Sequence, residues 1–185
     1  MRLFVSVDLP DEFAAPIADL QAEFDEASGV NVTDPEQAHV TLKFLGDTDA
    51  DRVPELADEL AAAVDDADVD PFTVRYGGLG VFPDLDYVSV VWVGVEAGGE
   101  ELTRLHESIE DRTTAMGFDP ETHEFTPHVT IARMEHAGGK DHVRNLVSDR
   151  DPAIGETCVE AVRLTESTLT QDGPAYSTVE RFPLG

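Results

Sequence analysis

The chain has 185 residues, 41% hydrophobic and 28% charged, and its 39 acids against 12 Lys and Arg give a formal charge of −27. That length suits one folding unit with a sizeable core, and no apolar run approaches the ~18 residues that span a bilayer. Cys158 is the only cysteine, which excludes an internal disulfide framework and any multi-cysteine zinc site and leaves it the part of a small buried hydrophobe.

The elements are read in chain order, taking alternation as the strand signal and 3.6-residue periodicity with caps as the helix signal. Met1-Arg2 followed by Leu3-Phe4-Val5-Ser6-Val7 is a first strand, about 2–8, not a signal peptide. A helix at 12–27, a strand at 38–45, a helix at 51–65 with Pro54 in its first turn, and a strand at 71–77 ending at Gly77-Gly78 follow. Then come a strand at 87–96, a break at Gly98-Gly99, a helix at 100–116 closed by Gly117, a strand at 127–133, a helix at 139–149, and strands at 156–169 and 175–182. The expectation is a soluble, cytoplasmic monomer with no obligate protein partner.

The acids are spread through every segment, as in Asp65-Asp66, Asp68 and Asp70, so they do not form an acidic tail. A globular chain this acidic repels itself in dilute salt, whereas at 1 M the Debye length falls to ~3 Å. The composition therefore points to a halophile.

The order strand, helix, strand, helix, strand occurs twice, over about 1–84 and 85–170, with 175–182 as a final strand. Each copy holds the same tetrad in its second strand: His39-Val40-Thr41-Leu42 and His128-Val129-Thr130-Ile131. Composition alone yields ~0.08 chance copies of such a pattern. Val74-Arg75 and Val162-Arg163 give a further apparent match. Alternation places His39, Thr41 and Lys43 on one face and Val40, Leu42 and Phe44 in the core, and sets His128 and Thr130 apart from Val129 and Ile131. Two like units packed about a pseudo-two-fold axis would oppose the histidines across a cleft.

A pair of imidazoles divides naturally into general base and general acid near neutral pH. Phosphodiester hydrolysis needs one group to activate water, another to protonate the leaving oxygen, and donors on the non-bridging oxygens, a task open to Thr41 and Thr130. A 2′,3′-cyclic phosphate is already strained, so the site need not supply a metal.

Met1-Arg2-Leu3-Phe4-Val5, His39-Val40-Thr41-Leu42-Lys43-Phe44-Leu45-Gly46, Gly78-Leu79-Gly80-Val81-Phe82-Pro83, Thr126-Pro127-His128-Val129-Thr130-Ile131-Ala132-Arg133 and the Phe182-Pro183-Leu184 ending resemble the RNA 2′,3′-cyclic phosphodiesterases. This family, also called 2′-5′ RNA ligases, belongs to the 2H phosphoesterases, named for their two HxTx motifs. The resemblance implies an α+β, duplicated, bilobed fold with antiparallel sheets lining a central cleft and helices outside. It implies metal-free hydrolysis of RNA 2′,3′-cyclic phosphate ends to 2′-phosphates, with His39 as acid, His128 as base, and Thr41, Thr130 and Arg133 on the phosphate. Strand parity puts Arg133 opposite His128, so it reaches the cleft only if the strand ends or bulges near Ala132. The alternatives are 2′-5′ RNA ligation, another cyclic nucleotide phosphodiesterase, or an RNA-end binding module without turnover.

Scarce cations make RNA affinity local: the terminal phosphate, Arg75, Arg133 or Arg163, and a base stacked on Phe4, Tyr76, Phe82, Tyr87 or Trp92, most of which are expected in the core. His106 reads as a boundary residue, and His123, His136 and His142 as solvated. A zinc site from His123, His128 and His136 lacks a helical His-x-x-x-His pair, and no cofactor or metal is expected. Asn31-Val32-Thr33 reads as a loop.

Overall fold

Leu3, Val5 and Val7 are almost fully buried, but so are Phe4 and Ser6 on the opposite face of the same strand. The first strand is therefore covered on both sides, by helices behind and by cleft side chains in front. In the computed structural model, which describes residues 1–185, the elements run β1 (Arg2–Asp8), α1 (Ala14–Asp25), β2 (Val30–Val32), β3 (His39–Asp47), α2 (Val53–Ala67), β4 (Phe72–Pro83) and β5 (Val88–Ala97). They continue with α3 (Gly99–Ala115), β6 (His128–Met134), α4 (Lys140–Asp149), β7 (Ala153–Val159), β8 (Ala161–Thr170) and β9 (Gly173–Pro183).

Two antiparallel sheets result, a four-stranded one in the order β3-β1-β8-β9 and a five-stranded one in the order β2-β6-β5-β4-β7. Helices α2 and α3 cover the first, while α1 and α4 cover the second. Neither sheet comes from one half of the chain: β8 joins β1 and β3, β4 joins β5 and β6, and α1 and α3 each pack on the lobe that holds the other half's histidine strand. The fold is α+β and bilobed, with β3 and β6 adjoining across the cleft. No helix is long and apolar enough to cross a membrane.

Local chemistry sets several boundaries. Pro54 occupies the first turn of α2, and Gly117, at φ +100°, follows the end of α3 in the left-handed region that a side chain disfavours. The expected strand at 71–77 runs on to Pro83, because Gly78 at φ +74° forms a bulge between Gly77 and Leu79 that keeps the ladder with β5 intact. The expected strand at 156–169 divides at Glu160 into β7, which pairs with β4, and β8, which pairs with β1. Val30–Val32 is a strand against β6, not a loop, because its pairing there continues a sheet edge. Cys158 is exposed, since β7 is an edge strand and alternation turns the thiol outward while Val159 is buried.

Candidate active site

Each histidine strand breaks its register just after its threonine, and β3 shifts a second time between Phe44 and Gly46. Along β3 and β1 the register runs Asp8↔His39, Ser6↔Thr41, then Phe4↔Phe44; along β6 and β5 it runs Gly94↔His128, Trp92↔Thr130, then Val90↔Arg133. Three residues on each histidine strand thus span what two span on its neighbour, so Leu42 with Lys43, and Ile131 with Ala132, are consecutively buried. The bulge near Ala132 that Arg133 required is present, and Arg133 shares the face of His128 and Thr130. The same bulge overturns the expected facing of β3. Phe44 is 50% exposed, while Lys43 turns away from the cleft and is buried.

At each bulge a buried helix side chain donates to a strand carbonyl, and the Ile131 carbonyl also accepts from the Thr33 amide at 3.0 Å. Gln21 of α1 donates from Nε2 to the Ile131 carbonyl at 2.9 Å, and His106 of α3 donates from Nδ1 to the Leu42 carbonyl at 2.7 Å. His106 is therefore buried, stacked on Phe125 at 4.2 Å between ring centroids, and not a boundary residue. Lys43 extends beneath the sheet to Glu110 Oε2 (2.8 Å) and the Asp119 carbonyl (2.6 Å). Burial raises the Glu110 pKa, but the hydrogen bonds from Lys43 and from the Glu121 amide hold the carboxyl low. The first histidine strand is thereby tied to the segment that leads into Thr126-Pro127-His128.

The two imidazoles are held alike. Each ring donates from Nδ1 to the carbonyl two residues back, His39 to Gln37 at 3.0 Å and His128 to Thr126 at 2.6 Å, which makes Nε2 the reacting nitrogen of each ring. Thr41 Oγ1 lies 3.1 Å from His39 Nε2. Aromatic rings brace both: Phe4 and Tyr176 stand 5.0 and 5.2 Å from His39, and Phe82 and Trp92 stand 4.9 and 5.7 Å from His128. Gly80 makes room for this support, because a Cβ there would overlap the Trp92 indole.

Burial lowers the pKa of both histidines, against the raising effect of their carbonyl bonds. Arg133 lowers both further, so one guanidinium acts on the two rings together, and the charge of His39 is felt at His128. The rings differ in one respect: Asp8 raises His39, and no carboxylate acts on His128. Asp8 is in turn 3.5 Å from Arg163 and accepts from Ser6 Oγ at 3.2 Å. A cavity of about 150 Å³ lies beside His39, lined by Phe4, Asp8, Gln37 and Tyr176, and one of about 230 Å³ beside Pro127, lined by Gly78, Trp92 and Gly94.

The structure thus brings together His39, Thr41, His128, Thr130 and Arg133. Arg163 faces the same cleft opposite Ser6, but Arg75 lies opposite Ala97 and pairs with Glu96, so the Val74-Arg75 and Val162-Arg163 match is not one of position. Of the aromatic candidates, Tyr76 is core, Tyr87 stands 69% exposed on the β4–β5 connection, and Phe4, Phe82 and Trp92 support the histidines. Sequence reasoning missed Asp8, Tyr176, Phe44, Gln21 and His106. The signal for Phe44 was present, since it stands five positions after His39 as Arg133 does after His128.

The family model described as the 2′-5′ RNA ligase superfamily matches residues 9–168. Proteins named RNA 2′,3′-cyclic phosphodiesterase are similar along most of their length: that of Archaeoglobus fulgidus is 33% identical, covering 98% of this chain and 99% of its own. That of Aquifex aeolicus is 37% identical over 82% of this chain and 80% of its own. Among solved structures, a Thermus thermophilus protein superposes with TM-score 0.78 at 30% identity, covering 100% of this chain and 98% of that one. Escherichia coli LigT with 3′-AMP superposes at TM-score 0.80 and 23% identity, covering 99% and 97%, a likeness of fold.

Proposed function

The chain belongs to the 2′-5′ RNA ligase superfamily, and from that premise we propose that it is an RNA 2′,3′-cyclic phosphodiesterase, opening the cyclic phosphate to a 2′-phosphate. The observation that carries this reading is the pair of imidazoles tethered through Nδ1, with Nε2 the reacting nitrogen of each, the Thr41 hydroxyl on that of His39, and one guanidinium acting on both rings. Neutral His128 takes a proton from water as its oxygen attacks phosphorus. Protonated His39 gives a proton to the 3′ oxygen as the P–O3′ bond breaks, leaving a 3′ hydroxyl and a 2′-phosphate. The Thr41 and Thr130 hydroxyls and Arg133 hold the non-bridging oxygens, so the negative charge in the transition state meets donors already in place. Two side chains supply both proton transfers, and the mechanism calls on no metal. Asp8, the one carboxylate acting on either ring, supports His39 as the acid.

We further read the chain as a duplication, repeats 1–84 and 85–170 with a final strand at 175–182, supported by the matched bulges and their matched helix caps. The protein would act as a soluble cytoplasmic monomer. Its charge suits a high-salt cytosol, so its unfolding free energy should rise from dilute to molar KCl; equal stability in both would remove the halophilic reading.

The test is hydrolysis of a short RNA ending in a 2′,3′-cyclic phosphate, in molar KCl with EDTA, by the natural protein, His39→Ala and His128→Ala. Turnover to a 2′-phosphate that both substitutions abolish is the expected result. Binding of the RNA end without turnover would instead favour an RNA-end binding module, and a 2′-5′ linkage between two RNA halves would favour the ligase direction.

A further inference from the structure

The two lobes offer the reacting phosphate unequal help. The β6 lobe presents two donors on one strand face, the Thr130 hydroxyl and the Arg133 guanidinium. β3 presents Thr41 alone, because Phe44 stands five positions after His39 where Arg133 stands five after His128. Charge that builds on the non-bridging oxygens is best met by donors already in place on either side of them.

Tyr176 of β9 has the chemistry that β3 lacks. Its ring stands edge-on to His39 at 5.2 Å and to Phe4 at 5.1 Å, so it forms one wall of the cleft beside the imidazole. Burial raises its pKa, while Arg133 of the other lobe and Arg2 lower it, and no protein group bonds its hydroxyl. The phenol is therefore a protonated donor at neutral pH, half-buried, within the field of the guanidinium across the cleft, and its O–H is uncommitted.

The phenol is held there from outside its own sheet. β9 is an edge strand, and its hairpin with β8 is largely exposed from Thr168 to Ala175. Gln37 ties that end down: its Nε2 donates to the Pro174 carbonyl at 2.9 Å, and its Oε1 accepts from the Tyr176 amide at 2.8 Å. A carbonyl and an amide two residues apart on an open strand edge are the groups another strand would pair, so one primary amide stands in for a strand. The main-chain carbonyl of the same Gln37 accepts from His39 Nδ1 at 3.0 Å. One residue thus sets the imidazole with its backbone and the phenol with its side chain.

We propose that Tyr176 is a further catalytic residue, its hydroxyl donating to a non-bridging oxygen of the reacting phosphate from the β3 lobe, and that Gln37 is the residue that positions it. This rests on the hydrolase reading and adds the second donor of the lobe that has no arginine.

The natural protein, Tyr176→Phe, Gln37→Ala and the double variant are assayed across pH on a short RNA ending in a 2′,3′-cyclic phosphate, and each is titrated with adenosine 2′-phosphate. Tyr176→Phe keeps the ring against His39 and removes only the donor, so kcat should fall about 10- to 100-fold while both limbs of the pH profile stay in place. Its Kd for adenosine 2′-phosphate should rise about tenfold. Gln37→Ala should lower kcat by a smaller factor, and the double variant should be no worse than Tyr176→Phe, because Gln37 acts through the phenol. Losses that multiply in the double variant would overturn the positioning role. Natural kcat and Kd in Tyr176→Phe, or a loss that comes only from displaced pH limbs, would overturn the donor and leave the hydrolase reading intact. If the natural protein turns nothing over, a Kd that depends on the Tyr176 hydroxyl keeps the phosphate contact and removes only the hydrolase reading, whereas one that does not removes both.

Discussion

The two histidine strands share a backbone and differ in what surrounds it. β3 and β6 carry the same bulge, the same Nδ1-to-carbonyl tether and a polar helix cap at the same carbonyl. Around that frame, the β3 lobe places Asp8 and Arg163 near its histidine and a buried lysine behind it, whereas the β6 lobe places Gly94 and Trp92 beside its histidine and Ala132 where the lysine stood. The shared frame sets where two protons can move. The unshared neighbours set which way they move.

The largest effect should come from the shared part. Removing either imidazole should lower kcat by about 10²–10⁴. Because the two act as one unit, His39→Ala with His128→Ala should cost little more than the worse single change. Full multiplication of the two losses, read from single-turnover rates, would mean that the histidines act independently and would break the comparison at its root.

Lys43 has no counterpart in the β6 lobe and tests the difference. Its side chain is fully buried and holds Glu110, which is 19% exposed, together with the Asp119 carbonyl. Lys43→Met should lower the unfolding free energy by about 3 kcal/mol, because Glu110 loses the charge that offsets its own burial. Lys43→Met with Glu110→Gln should regain part of that. Denaturant unfolding of both variants decides it, and a neutral single variant would show that Lys43 is not a strut.

The helix caps give a smaller effect that is comparable between lobes. His106→Leu strands the buried Leu42 carbonyl at its bulge, at a cost of about 1–3 kcal/mol, whereas Gln21→Leu should cost less, because the Ile131 carbonyl keeps its bond from the Thr33 amide. His106→Gln, which brings the cap of one lobe into the other, should recover the carbonyl bond but not the stack on Phe125, and so fall between His106→Leu and the natural protein. A His106→Gln protein no better than His106→Leu would show that the two caps are not interchangeable.

Much of the site was legible because alternation is a strong signal wherever a strand is regular. The tetrads, the α1–α4 helices and the strand order apart from β2 and the β7–β8 division follow from periodicity, and the resemblance assigned roles to His39, Thr41, His128, Thr130 and Arg133. What stayed hidden arises where periodicity fails. One extra residue in β3 reverses Lys43 and Phe44 together, and the composition of a strand does not show where its partner skips a residue. Gln21 and His106 were opaque for a related reason: a helix residue that serves a carbonyl on another element leaves no local pattern. Cys158 read as core because free cysteine is usually buried, and only its place on an edge strand turns it outward.

The smallest effect bears on direction. Asp8 raises the His39 pKa, while burial and Arg133 lower it, and His128 has no such carboxylate. Asp8→Asn removes the raising influence, so the His39 pKa should fall and that of His128 should stay nearly fixed. An acid must be protonated to act, so activity is lost as pH rises through the pKa of His39; lowering that pKa moves the alkaline limb of the kcat profile to lower pH and narrows the bell. A base must be neutral, so if His39 were the base the same substitution would move the acidic limb to lower pH and widen the bell. The limbs belong to the coupled pair, but the direction of the change survives the coupling. Asparagine can still accept from Ser6 Oγ, which leaves charge as the main change at this position. A narrowed profile assigns the proton donor to the lobe with the carboxylate, and a widened one assigns it to the lobe with the indole.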